Sequence, residues 1–205
     1  GGTDTDVTSN YRTRITDPPD VAGLAVRTVD LDGSVELTWS GAGTVLVLDE
    51  IQTGLGRTGT MWDHTQEDVE PDIVVTGKGL SGGIYPITAA LMTAELHSFF
   101  DDHPFVHVST FGGAELGCVA ALTTLDLTEQ PGFHERVETV GARIEAGLAG
   151  LGVEVRRRGL FMGLAFDDPS GGMVATQRLI PAGVFAVFAN NDPSVLQFLP
   201  PLTIT

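Results

Sequence analysis

Among the 205 residues are 11 basic side chains, and Lys78 is the only lysine; the other ten are arginines. One retained primary amine among arginines points either to chemistry that a guanidinium cannot do or to drift in a lysine-poor composition. Lys78 comes directly after the apolar run Ile73–Thr76 and Gly77, and Asp49 ends a similar run, Thr44–Leu48, 29 residues earlier. A carboxylate beside such a stretch needs a partner, because burying it alone is costly. Two readings follow: an internal Asp–Lys ion pair, or two side chains facing one shared ligand. The histidines point elsewhere. His97, His103, His107 and His134 lack cysteine or carboxylate partners at metal-ligand spacing, so no metal site is expected. His64, after Trp62-Asp63, reads as a packing residue, and Cys118, on an apolar helix face, as a core residue.

The elements that must hold Asp49 and Lys78 are legible from periodicity. Continuous β-branched runs such as Thr44–Leu48 and Ile73–Thr76 are typical of parallel strands buried on both faces, and open α/β sheets place their ligands at the carboxyl ends of such strands. A loop with three glycines, Thr53–Gly59, lies between them. Two helices are predicted next. Leu116, Val119, Ala120 and Thr123 share a face of the first; Phe133, Val137, Val140, Ile144, Leu148 and Leu151 stripe the second. Beyond residue 152, strands over Val153–Val155, Leu160–Phe166, Val184–Ala189 and Val195–Leu199 and a helical turn at Thr176–Pro181 predict a small α+β unit. The chain thus divides into an N-terminal segment 1–43, an α/β portion 44–151 and a C-terminal unit 152–205. In the first, residues 1–17 are polar and read as disordered. Residues 18–39 read as two short strands around Asp32-Gly33.

Composition narrows the function classes. Acidic residues outnumber basic ones 27 to 11, for a net charge of −16, which disfavours nucleic acid and anionic membranes as partners. No apolar run approaches the length of a membrane helix. One cysteine allows no intramolecular disulfide and fits a cytoplasmic setting.

Four blocks then carry a resemblance. Val47-Leu48-Asp49-Glu50-Ile51-Gln52-Thr53-Gly54-Leu55-Gly56-Arg57-Thr58-Gly59 resembles the signature of class III aminotransferases, pyridoxal-phosphate enzymes of fold type I. Gly77-Lys78-Gly79-Leu80-Ser81-Gly82-Gly83 resembles their Schiff-base lysine segment, and Ser109-Thr110-Phe111-Gly112-Gly113 their next block. Leu199-Pro200-Pro201-Leu202-Thr203-Ile204-Thr205 is similar to the block before their last helix. The order and spacing match over about 44–205, and the wording is most similar to the putrescine/ornithine-type branch.

The resemblance implies pyridoxal 5'-phosphate as cofactor, with Lys78 as the catalytic Schiff-base lysine. It implies that Asp49 pairs with the pyridine nitrogen, Gln52 reaches the phenolic oxygen, and Thr110 binds the phosphate across a homodimer interface. The implied function is amino-group transfer between an amine or amino acid and an oxo acid by a ping-pong mechanism. Decarboxylase and aminomutase activities of the same family are the enzymatic alternatives. Relatives carry a Gly/Ser-rich phosphate turn ahead of the aspartate block and an arginine before the final prolines; here the latter position is Gln197. The expectation is therefore a C-terminal half of such an enzyme. Its alternative is a catalytically incomplete fragment, or a fusion, without independent activity.

Overall fold

The computed structural model describes residues 25–26, 37–38, 45–67 and 69–205. Within segment 1–43, strands β1 (Ala25–Val26) and β2 (Leu37–Thr38) pair antiparallel, as the alternation predicts. The polar start 1–17 and the Asp32-Gly33 turn lie outside the described residues.

The two apolar runs become neighbours. β3 (Val47–Asp49) pairs in parallel with β4 (Ile73–Thr76), with Asp49 opposite Val75. β3 is shorter than its apolar run because Asp72 holds the preceding residue: its Oδ2 accepts from the Leu46 amide at 2.8 Å, while the Leu46 carbonyl accepts from the Asp72 and Ile73 amides. Residues 84–102, left unassigned by periodicity, supply an antiparallel strand β5 (Ala89–Met92) on the far side of β4 and helix α1 (Ala94–Asp102), capped by the Thr93 hydroxyl.

Helix α2 (Glu115–Thr128) corrects the predicted face. Gly117, Ala121 and Thr128 turn inward, whereas Leu116 and Val119 are exposed. The reason is close approach: a Cβ on Gly117 would lie 2.9 Å from the Tyr85 ring and 3.1 Å from Ile87, so the small residues mark the packed side. Cys118 is half-buried, outside the core. Helix α3 (Phe133–Leu148) follows its stripe, burying Val137 and Val140 against Leu160 and Met162, while Leu151 is exposed past its end.

The C-terminal part is a four-stranded antiparallel sheet of β6 (Glu154–Arg158), β7 (Phe161–Ala165), β8 (Val187–Ala189) and β9 (Asp192–Phe198), in spatial order β6-β7-β9-β8. Helix α4 (Gly171–Leu179) begins earlier than the predicted turn. Glycine at its first turn lets it lie against β9, for a Cβ on Gly172 would sit 2.4 Å from the Val195 backbone.

Candidate active site

Asp49 and Lys78 stand at the carboxyl ends of adjacent parallel strands, where β3 and β4 give way to turns. The Ile51 amide donates to Asp49 Oδ1 at 3.0 Å, which aims the carboxylate; Oδ2 has no hydrogen bond among the described residues. Lys78 opens a single 3₁₀ turn, Lys78–Ser81, at φ +43°, a left-handed conformation costly for a side chain with a Cβ. Its pKa is lowered by desolvation, while the charge of Asp49 works in the opposite direction. The two groups therefore feel each other, yet no ion pair joins them among the described residues. The internal Asp–Lys ion pair, one of the two readings made from sequence, is therefore not formed among the described residues.

A small apolar cluster holds the two turns in register. Leu55 from the glycine loop and Leu80 from the lysine turn are buried with Ala121 of α2, flanked by Met61, Trp62, Ile87 and Leu125. Burying each leucine contributes roughly 1.5–3 kcal/mol, so this contact ties the aspartate loop to the lysine turn.

Gln52 is half-buried in the turn after Asp49, on the same loop. Thr110 belongs to another part of the chain. It lies on the exposed loop between α1 and α2, with no hydrogen bond to Asp49, Gln52 or Lys78. Gln197 sits within β9 opposite Gly163 and Val187, its amide donating to the Phe188 carbonyl at 3.5 Å.

Sequence reasoning missed a buried polar network behind Asp49. The Glu50 carboxylate is 1% exposed and accepts from Thr53, from the Asp63 and His64 amides, and from His64 Nδ1 at 2.7 Å. His64 is thus a carboxylate-bound residue as well as a packed one. Asp63, also buried, faces Arg158 of β6 at 3.4 Å and Gln66, and Arg158 also pairs with Glu67. Glutamate and aspartate in a turn carry no local sign of burial; the sequence signal was only their flanking by Trp62 and the glycine loop.

Burial pushes the Asp63 carboxyl up to about 6; Arg158 and His64 oppose that rise and Glu67 adds to it. With the folded pKa above the unfolded value of 3.8, the folded chain binds this proton more tightly. The linked stability is full below about pH 4 and is lost as pH rises through about 6, amounting to about 3 kcal/mol. Asp63→Asn removes that component. In urea melts between pH 4.5 and 7.5, wild type should lose stability relative to Asp63→Asn as pH rises; parallel profiles would refute the assignment.

A parallel strand pair carrying Asp49 and Lys78 at its carboxyl ends, with helices packed beside it, places the chain among α/β proteins. The sequence pattern of the family described as Aminotransferase class-III matches residues 33–205, and the chain belongs to that family. An uncharacterized aminotransferase of Archaeoglobus fulgidus is 45% identical over 168 residues, covering 79% of this chain and 40% of that protein. The ornithine aminotransferase of Toxoplasma gondii superposes with a TM-score of 0.69 at 33% identity, over 78% of this chain and 39% of its own. The acetylornithine aminotransferase of Elizabethkingia anophelis gives 0.69 at 32% identity, over 78% and 43%. The fold is that of the type I pyridoxal-phosphate enzymes, and the chain spans about two fifths of these relatives' length.

Proposed function

We propose that this chain carries the lysine-bearing portion of a pyridoxal-phosphate transaminase that moves an amino group between an amine or amino acid and an oxo acid. The observation that carries the reading is the placement of Asp49 and Lys78 at neighbouring strand ends, electrostatically coupled but unpaired. An acceptor carboxylate and a nucleophilic amine facing one space fit a cofactor with a basic ring nitrogen and an aldehyde. In this reading Lys78 holds the aldehyde carbon, Asp49 the ring nitrogen and Gln52 the phenolic oxygen. When bound, the cofactor supplies an electron sink for the substrate's Cα–H bond electrons.

What the chain itself contributes is proton management. Desolvation lowers the Lys78 pKa and enlarges the neutral fraction able to attack a carbonyl or to carry a proton at Nζ. The Ile51 amide keeps Asp49 oriented, so its charge is available without rearrangement.

The remaining assignments follow the same reading. Residues 44–151 serve as part of the cofactor-binding large domain and 152–205 as the small one. In this reading Thr110, on an exposed loop, serves the phosphate of the other subunit in a homodimer. Named relatives act on ornithine and acetylornithine, which supports a small amine or amino acid as donor. The absence of an intramolecular disulfide in a one-cysteine chain suits the cytoplasm. Among the described residues no helix is long and apolar enough to cross a membrane.

Borohydride trapping tests the central claim. After incubation with pyridoxal phosphate and reduction, the mass label is expected on the Lys78 peptide at near-stoichiometric yield. Label confined to the amino terminus, or absent, would favour the incomplete-fragment reading, which the two-fifths coverage of the relatives supports.

A further inference from the structure

Glu50 follows Asp49, and successive side chains at a strand end point to opposite sides. Asp49 ends β3 beside the strand that leads into the lysine turn; Glu50 is buried, 1% exposed. An ionised carboxylate offers about four lone-pair sites and no donors. All are used here: Thr53 Oγ1 at 2.9 Å, the Asp63 amide at 2.9 Å, the His64 amide at 2.9 Å and His64 Nδ1 at 2.7 Å.

These donors bracket the candidate site. Thr53 is next to Gln52. Asp63 and His64 follow Trp62, whose ring lies 2.8 Å from where a Cβ on Gly54 would stand. The Glu50 carbonyl closes the same turn by accepting from the Gly54 amide at 3.0 Å, and its own amide donates to Val75 beside the lysine strand's end at 2.8 Å. Glu50 is thus bonded to β4, to the turn carrying Gln52 and to the segment 63–64. Neither Lys nor Arg pairs with it among the described residues, so its binding strength lies in geometry and full saturation.

We propose that Glu50 is a positioning residue: by saturating its carboxylate with four donors it fixes the turn 50–54 and so holds Asp49 aimed at Lys78. This rests on the reading that Asp49 and Lys78 act together.

Lys78, as the sole lysine, permits a test without cofactor. The pH dependence of its modification by an amine-reactive reagent, followed on its peptide by mass, reports its titration midpoint. Asp49→Asn removes the charge that holds Lys78 up, so its midpoint should fall. Glu50→Asp keeps the negative charge but shortens the reach by one methylene, so it cannot satisfy all four donors. It should lower the midpoint in the same direction, by about half a pH unit, seen as roughly threefold faster modification at pH 7. Thr53→Ala, which removes one donor and spares the rest, should show a smaller change of the same sign and carries the test if Glu50→Asp fails to fold. An unchanged midpoint in both variants, with Asp49→Asn shifted, would overturn the positioning role alone. An unchanged midpoint in Asp49→Asn would overturn the Asp49–Lys78 reading, and the proposal with it.

Discussion

Lys78→Gly is expected to raise the stability of the chain while removing every trace of lysine-specific labelling by pyridoxal phosphate. Lys78 is exposed, makes no hydrogen bond or ion pair among the described residues, and stands at φ +43°. A left-handed conformation costs an L-residue roughly 1–2 kcal/mol. Glycine relieves that strain, but its unfolded chain has more freedom to lose, which takes back roughly 0.5–1 kcal/mol. The balance is a gain of about 0.5–1 kcal/mol for glycine, with Lys78→Ala close to neutral. Urea melts on the two variants and wild type measure the stability; reduction with borohydride after cofactor incubation measures the label. A residue retained for structure would behave oppositely, so destabilisation above about 1 kcal/mol by Lys78→Gly would sink the argument. Stability given up at one strained position for a reactive group is the usual signature of a site under functional demand.

Gly159→Ala is expected to cost about 3–5 kcal/mol, a large share of the roughly 5–15 kcal/mol that stabilises a typical domain. The glycine sits at φ +57° in the turn between β6 and β7. A Cβ there would lie 2.6 Å from the Arg57 carbonyl oxygen, 2.6 Å from the Thr58 carbonyl carbon and 2.7 Å from the Gly59 amide nitrogen. All three atoms are backbone, so no rotamer change relieves the clash. Nor can the turn retreat, because on its other side a Cβ at Gly141 of α3 would come within 2.4 Å of the Gly159 carbonyl. The same seam is tied by the Leu160 amide to the Arg57 carbonyl at 2.9 Å, and by the Arg57 guanidinium to the carbonyls of Leu160 at 3.3 Å and Pro200 at 2.5 Å. The turn thus seats the C-terminal sheet on the loop that follows Gln52. Thermal or urea melting checks the cost, and a loss under about 1 kcal/mol would show that the loop yields.

Both predictions concern glycine geometry, and they divide along what was readable from the chain. The parallel pair β3–β4 was legible, because an apolar β-branched run needs only its own few residues to declare itself. So was the placement of Asp49 and Lys78, since a polar residue after such a run marks the strand's carboxyl end. The stripe of α3 was legible for the same reason of local period. The alternation that marks β1 and β2 is equally local.

The face of α2 was not legible. Leu116 and Val119 form a plausible apolar stripe, but Gly117 and Ala121 win the inside because Tyr85 and Ile87 approach too closely for larger side chains. Strand β5 and helix α1 lacked a clear period, and β5 is defined by pairing with β4. Glu50, Asp63 and Arg158 look like ordinary surface charges in sequence. Only the fold buries the first two and brings Arg158 to Asp63 across 95 positions of chain. Local sequence decides strand ends and helix stripes, because those depend on the period of a few consecutive residues. Which charges are buried, and which glycines have no room for a methyl group, depends on atoms supplied from far along the chain, and tertiary structure alone decides that.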